Sequence, residues 1–484
     1  MIKEIRRVSL GILVLFSTIF ASTTVIQVFQ VDNLRVDPRN VRTLYDSYST
    51  ERGSIIVGTT SIAESVPSDD VYTYQRTYSG GGLYAPVTGY YSINQGLTGL
   101  ELAMNDQLSG QSNAQFFDQV LALVTGTNPR GASVRLTLNA SVQQAARDAL
   151  GDLTGAAIAI DPTTGRILAL VSTPSFDPNE MATHDTEKAA ATYQSLLESS
   201  NAPLDNRAIA STLFHPGSVF KLVVAAAALD SGAVTTATNF PNPAKLTLPQ
   251  STSVIRNSGG GTCGKGDTVT LAEALKRSCN IPFAEIGQLL GENTIRDYAE
   301  KFGFGATIEI PMPATPSVYP SGMDEAQLML SSFGQFDVRV SPLQIAMVTS
   351  AIANGGKLMK PTVVDSVLAP DLTPITTFEA STYSTPISAA TAATLVQMMV
   401  NNVANGVASK AAIPGVNVAG KTGTAENGDG LPYTLWFTGF APAENPRVVV
   451  AVMVADGGGL GQAGNGNSVA APIARKIMEA VLSQ

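Results

Sequence analysis

The stretch Gly155–Asn179, GAAIAIDPTTGRILALVSTPSFDPN, sets the class of the fold. Two apolar runs, Ala156–Ile160 and Ile167–Ser172, flank Asp161-Pro-Thr-Thr-Gly165. Short apolar runs bounded by turn residues read as paired strands, so this stretch opens a sheet. The far end of the chain supplies matching runs, Leu435–Phe440 and Val448–Val454, joined by Ala441-Pro-Ala-Glu-Asn-Pro446. Between them lie helical segments: Leu271–Leu275, Ile281–Leu290, and Pro342–Ala353, the last stopping at Asn354-Gly355-Gly356. Ala470–Leu482 closes as a helix. Strands at both ends of a region with helices in its middle predict an α+β domain around a largely antiparallel sheet. Asp177–Asn206 reads as a polar, mobile connection.

Upstream, the pattern is mixed. Asp37–Arg42 and Arg52-Gly53-Ser54-Ile55 look like turn-and-strand material, and Tyr78–Gly99 is rich in Tyr and Gly. Val134–Leu138 alternates like a strand, and Ala140–Leu150 places Val142, Ala145, Ala146, Ala149 and Leu150 on one helix face. The boundary between the two regions falls near residue 150.

Val8–Phe29 contains no charged residue. About 20 apolar residues span a bilayer, whereas a cleaved signal has a core of roughly 7–15. Ala21-Ser22-Thr23 is a poor cleavage site. Lys3, Arg6 and Arg7 precede the run and place that end in the cytoplasm. The division expected is therefore a cytoplasmic tail (1–7), a transmembrane anchor (8–29), an N-terminal pedestal (30–150) and a catalytic domain (151–484), the last two extracytoplasmic. With 484 residues, 44% hydrophobic and 14% charged, the chain is long enough for two or three globular domains. A net charge of −9 argues against nucleic-acid binding. The two cysteines, Cys263 and Cys279, face an oxidising compartment in this arrangement, where a disulfide and free thiols both remain open. With two histidines they are too scattered for a zinc site, and no metal or cofactor is expected.

The chemistry begins in His215–Gly232, HPGSVFKLVVAAAALDSG. Ser218 opens an apolar helix and Lys221 sits three residues on, a spacing that puts both on one face. Val219, Phe220, Leu222 and Val223 would desolvate the ammonium and lower its pKa. A neutral lysine can take the serine proton and make the hydroxyl a nucleophile. The bland reading is a lysine snorkelling from a half-buried helix. A Ser-His-Asp route has only His184 and His215 to draw on, and His215 reads as a local packing residue. Ser278-Cys279-Asn280 follows a helical segment and presents two polar side chains, although Ser92-Ile93-Asn94 and Ser199-Ser200-Asn201 fit the same pattern. Lys421-Thr422-Gly423-Thr424 follows Val416–Gly420, which reads as a strand. A strand edge with small residues suits pairing with a peptide, and a fixed Lys with Thr hydroxyls suits a carboxylate. Gly423 would remove a side chain where a ligand backbone must approach.

Ser-x-x-Lys, Ser-x-Asn and Lys-Thr-Gly, in that order, resemble the motif set of the penicillin-binding and serine β-lactamase superfamily. With a single anchor, the chain is similar to the class B penicillin-binding proteins. Asn40-Val-Arg42 with Arg52-Gly53-Ser-Ile55 is similar to the class B N-terminal signature. RTYSGGGLYAPVTGYYS, AIDPTTGRILALVSTPSFDPN, PLDNRA, HPGSVFK, GQFDVRVSPLQIAMVTSAIANGG and WFTGFAPAENP resemble the short subgroup called penicillin-binding protein A. The resemblance runs along nearly the whole chain.

It implies a peptidoglycan D,D-transpeptidase. Ser218 would attack the penultimate D-alanine carbonyl of a D-Ala-D-Ala stem peptide, with Lys221 as base. Ser278 would relay a proton to the leaving D-alanine, and Asn280 would hold the donor amide and Lys221. Lys421, Thr422 and the Thr424 hydroxyl would bind the terminal carboxylate. The backbone N–H groups of Ser218 and Thr424 would form the oxyanion hole. β-Lactams would acylate Ser218, and Cys279, in place of the Asp of many β-lactamases, would have little effect. The pedestal would resemble a dimerisation or docking module, and a multi-spanning glycosyltransferase would be the membrane partner. A D,D-carboxypeptidase or anchored β-lactamase is the hydrolytic alternative, and a penicillin-binding scaffold or sensor the non-enzymatic one. The long N-terminal region and the complete motif set favour the transpeptidase.

Overall fold

The computed structural model describes residues 2–30, 48–115, 130–210 and 212–484. Asp37–Arg42, and with it the Asn40-Val-Arg42 signature, lies outside them. The chain begins with α1 (Ile2–Thr24), none of whose residues is buried, followed by a π turn over Val25–Phe29. At 1.5 Å per residue α1 is roughly 35 Å long, enough for the ~30 Å core of a bilayer. It is the one helix among the described residues long and apolar enough to cross a membrane.

The centre of the molecule is a five-stranded antiparallel sheet. Its strands are β1 (Gly155–Ile160), β2 (Ile167–Thr173), β3 (Ala419–Ala425), β4 (Thr434–Ala441) and β5 (Val448–Val454), in the order β3-β4-β5-β1-β2. Every residue of β1, β4 and β5 is buried. Helices cover both faces, so these strands read as continuous apolar runs instead of alternating ones. Ala157, Ala159, Val450 and Val452 face α2 (Ala140–Leu150) and the C-terminal helix Ala470–Leu482. Ala156, Ile158, Ala451 and Met453 face the other way, into the larger core. That core contains α3 (Lys221–Asp230), α4 (Leu271–Arg277), α5 (Ile281–Lys301) and α6 (Pro342–Ala353). The strand order leaves one long edge of β3 unpaired within the sheet.

Three elements differ from the sequence reading. The expected strand at Val416–Gly420 runs instead over Ala419–Ala425, so Lys421–Gly423 is inside it. The supposed mobile connection contains helices Asn179–Ala182 and Thr186–Glu198, the second capped by Asp185, whose carboxylate accepts from Lys188 N at 3.0 Å. α5 extends well past Leu290, across a kink at Gly291 (φ 75°).

A second, six-stranded sheet is built by both regions of the chain. Strands Ile55–Val57, Thr60–Pro67, Tyr74–Tyr78 and Ser133–Leu136 come from the N-terminal region, and Val364–Leu368 and Pro374–Thr377 come from beyond residue 150. The N-terminal segment is thereby joined to the catalytic region through a shared sheet. The Arg52-Gly53 signature sits at its base. A Cβ on Gly53 would lie 2.0 Å from the Ala132 carbonyl oxygen. Arg52 and Arg76 both bond the fully buried Glu101, at 2.6 and 2.7 Å.

Candidate active site

Ser218 lies in a single 3-10 turn, Gly217–Val219, that feeds directly into α3. Lys221 is the first α-helical residue and is completely buried. Its Nζ lies 2.9 Å from Ser218 Oγ, 2.8 Å from the Ser278 carbonyl oxygen and 2.8 Å from Asn280 Oδ1. As an ammonium it donates to all three. As a neutral amine it keeps two N–H groups for the carbonyl and the amide oxygen, which can only accept, and its lone pair is left for the Ser218 O–H. The same cage therefore satisfies both protonation states, as a base that takes up one proton requires. Burial holds the Lys221 pKa well below the usual lysine value, and the nearby charge of Lys421 lowers it further.

Ser278 caps the end of α4 in the left-handed region, at φ 60° and ψ 36°. For a non-glycine residue this conformation costs ~1–3 kcal/mol. The turn sends the Ser278 carbonyl toward Lys221 and its hydroxyl toward Lys421, whose Nζ donates to Oγ at 2.6 Å and to the Thr422 carbonyl at 2.9 Å. Lys421 is fully buried, and burial lowers its pKa to about 7. Of the other Ser-x-Asn matches, Ser92–Asn94 lies in the N-terminal region, where Asn94 Nδ2 donates to the Thr186 carbonyl.

Asn280 begins α5 without using its side chain as a cap. Asn257, which sequence reasoning missed, does that work: its Oδ1 accepts from the N–H groups of Asn280 and Ile281 at 3.0 and 3.1 Å. Asn280 is left free to hold Lys221 through Oδ1 and the Arg256 carbonyl through Nδ2. The only prior signal was an Asn at the edge of a glycine-rich loop. Cys263 in that loop is disulfide-bonded to Cys279, with a Cα separation of 5.9 Å, so the loop is tied to the Ser278–Asn280 turn.

On β3, Lys421, Thr422, Gly423 and Thr424 pair with Thr438, Phe437, Trp436 and Leu435 of β4. The role expected of Gly423 needs revision. A Cβ there would meet the Pro216 carbonyl at 2.9 Å, Trp436 Cβ at 3.0 Å and Val219 Cγ1 at 3.2 Å. The missing side chain lets β3 approach the Ser218 turn from behind. Gly217, at φ 52°, has the same function from the other side: its Cβ would lie 2.9 Å from the Thr424 carbonyl oxygen. Trp436 anchors the turn by donating from Nε1 to the His215 carbonyl at 2.9 Å. The His215 ring faces Arg339, and burial with that positive charge lowers its pKa to about 4. It has no bond to Ser218. The Thr424 hydroxyl accepts from Gly466 N at 3.3 Å.

A cleft of about 930 Å³ opens over these residues. Ser218, Ser278, Asn280, Thr422, Gly423 and Thr424 line it, while the two lysines stand behind its wall. The arrangement is a serine hydroxyl on one buried amine, a second serine hydroxyl on another, and an open strand edge beside them.

Residues 155–479 match the penicillin binding protein transpeptidase domain, and residues 52–134 match the penicillin binding protein A dimerisation domain. The peptidoglycan D,D-transpeptidase PbpA of Mycolicibacterium smegmatis is 42% identical, covering 99% of both chains. The protein of the same name from Mycobacterium tuberculosis is 41% identical at the same coverage. The structure of M. tuberculosis penicillin-binding protein A as a ceftriaxone acyl-enzyme complex superimposes with a TM-score of 0.86 at 39% identity, over 90% of this chain and 100% of that one. The chain belongs to the penicillin-binding protein transpeptidase family, and its similarity to penicillin-binding protein A extends through both regions.

Proposed function

We propose that this chain is a serine peptidoglycan D,D-transpeptidase. The observation that carries the reading is the 2.9 Å contact between Ser218 Oγ and a buried Lys221 whose cage accommodates both the amine and the ammonium. Ser218 Oγ attacks the carbonyl carbon of the penultimate D-alanine, and its proton passes to Lys221. The tetrahedral oxyanion is held by the N–H groups of Ser218 and Thr424, each donor worth ~3–4 kcal/mol. The C–N bond then breaks. The D-alanine nitrogen leaves with a proton delivered through Ser278, leaving an ester on Ser218. The amine of a second stem peptide attacks the ester, forms the cross-link and returns the hydroxyl to Ser218. Thr422 and Thr424 bind the donor carboxylate with the positive charge of Lys421 behind them, and Asn280 holds the donor amide.

β-Lactams, which mimic the donor, acylate the same Ser218. Support comes from the M. tuberculosis acyl-enzyme complexes with ceftriaxone, imipenem and penicillin G, all close structural relatives. We assign α1 as a single membrane anchor, with Lys3, Arg6 and Arg7 cytoplasmic and the cleft outside. We assign the segment 30–150 as pedestal and docking surface, and a multi-spanning glycosyltransferase in the same membrane as the source of glycan strands.

Fluorescent penicillin labelling tests the site. Wild type labels and Ser218→Ala does not; equal labelling of both overturns the mechanism. Incubation with stem-peptide donor and acceptor then separates the chemistries. Cross-linked dimer is the expected product, and free D-alanine without dimer identifies a hydrolase.

A further inference from the structure

The segment Gly334–Val340, GQFDVRV, has entered so far only through Arg339 beside His215, yet it touches both halves of the site. The Gly334 carbonyl accepts from Gly217 N at 2.9 Å, directly beside Ser218. Gly334 stands at φ 81°, and a Cβ there would lie 2.0 Å from the Gly217 carbonyl oxygen. Further along, Val340 and Phe214 exchange both backbone bonds, at 2.9 and 3.0 Å. At the other half of the site, the Gln335 amide faces the Glu426 peptide just past the end of β3. In the orientation that satisfies both partners, its oxygen accepts from Glu426 N at 3.0 Å and its nitrogen donates to the Glu426 carbonyl at 3.2 Å.

This is the pairing that a neighbouring strand would make, supplied by one side chain. Glu426 is two residues beyond Thr424, so in the period-two geometry of a strand the two present their backbone groups to the same edge. That edge is the one left unpaired by the sheet, and the Thr424 carbonyl already approaches Gly217 across it. Gly334 on Gly217 and Gln335 on Glu426 are adjacent residues, so one rigid dipeptide spans the gap between the Ser218 turn and β3.

We propose that Gln335 is a positioning residue for the oxyanion hole, fixing the Thr424 peptide of β3 relative to the Ser218 N–H through its paired bonds to Glu426. The inference rests on the transpeptidase reading above and concerns which residue holds that site in shape. Simple packing at this position would need only a side chain of the right volume. Paired bonding needs a group that donates and accepts at once, as an amide does and as a protonated carboxyl does.

Three variants test it in the full chain. Acylation by a fluorescent penicillin is resolved into reversible affinity and acylation rate constant. Gln335→Met keeps the volume and loses both bonds. Its rate constant falls ~10-fold or more, short of the 10²–10³ for outright loss of a donor, while reversible affinity is unchanged. Gln335→Glu reports the bonding directly. Its rate relative to wild type climbs toward one as the pH falls to about 4 and drops toward the Gln335→Met level by about pH 6, as the carboxyl, with an ordinary pKa of ~4.3, ionises and can no longer donate. A Gln335→Met rate equal to wild type overturns the proposal. So does a Gln335→Glu ratio that is flat with pH, a readout that survives if Gln335→Met folds poorly. Ser218→Ala, run alongside, reports on the underlying reading. If it still labels, the site assignment fails; if it is silent while the Gln335 variants match wild type, only the positioning role fails.

Discussion

Lys421 Nζ donates to Ser278 Oγ at 2.6 Å, and both side chains are buried, Ser278 in the cleft wall and Lys421 behind it. The serine hydroxyl thus sits on a cation, while its own backbone carbonyl holds Lys221. This places Ser278 between the two amines of the site, where it can pass a proton toward the leaving group and draw on Lys421 to replace it. Ser278→Ala cuts the path. Peptide turnover is expected to fall ~10²–10⁴-fold, the usual worth of a positioned acid–base group. Acylation by penicillin is expected to fall less, because its leaving nitrogen stays tethered in the product. Parallel measurement of D-alanine release and penicillin labelling checks this, and equal losses in both contradict the relay.

The two lysines also set the pH profile. In the proposed mechanism acylation requires Lys221 neutral, so kcat/KM rises as Lys221 loses its proton. The same mechanism has carboxylate binding favoured by a charged Lys421, so kcat/KM falls as the pH passes about 7. Lys421→Met removes the falling limb. It also removes a positive neighbour of Lys221, which raises the Lys221 pKa and moves the rising limb to higher pH.

The same groups predict a stability effect of defined sign. A lysine whose folded pKa is below its unfolded value makes the folded state bind fewer protons, so stability rises with pH and is deficient at low pH. Lys421→Met is therefore expected to raise Tm most below about pH 7. The gain shrinks toward the unfolded lysine value near ~10.4. A Tm difference that grows with pH refutes the assignment.

Gly423→Ala tests the close approach of β3 to the serine turn. The new Cβ lies 2.9 Å from the Pro216 carbonyl, a backbone atom held by the Phe214–Val340 bridge nearby, so the strand must move. Overpacking of this kind costs ~1–3 kcal/mol. The displaced strand carries Thr424 away from Ser218, so acylation slows along with the loss of stability. Denaturant midpoint and labelling rate measured on one preparation check both.

The fold was legible wherever strands are buried on both faces. Gly155–Ile160, Ile167–Val171 and Val448–Val454 are apolar throughout because helices cover them on each side. β3 was misplaced because its functional half, Lys421–Thr424, looks polar although most of it is buried. The polar run Asp177–Asn206 hid its helices because most of their residues remain at the surface. Single motifs were ambiguous, and Ser278–Asn280 stood out from two other Ser-x-Asn matches only through its order with Lys421. Asn257, Trp436 and Gln335 were invisible for a different reason. They act through backbone groups far away in sequence, and no local spacing reports such contacts.

Glu101 offers a test of the N-terminal region that leaves the cleft alone. Burial opposes its ionisation, but the charges and hydrogen bonds of Arg76 and Arg52 together outweigh that and hold its pKa below the ordinary value. Tyr78 adds a bond to Oε1 at 3.2 Å, and Arg52 also bonds the Glu101 carbonyl at 2.6 Å. Arg76 in turn reaches the Gly53 carbonyl at 2.9 Å, linking the cluster to the base of the six-stranded sheet. Because the folded pKa is depressed, this carboxylate contributes stability above its unfolded pKa and loses it as the pH falls through the folded value. Glu101→Gln leaves two guanidinium groups buried without a counter-charge, a loss of ~3–5 kcal/mol. Chemical denaturation at neutral pH should show that loss, and the gap between variant and wild type should close at acid pH. Penicillin labelling of the folded fraction at low temperature should be unchanged, since no part of the cluster lines the cleft. A variant as stable as wild type would show that the two arginines find other partners.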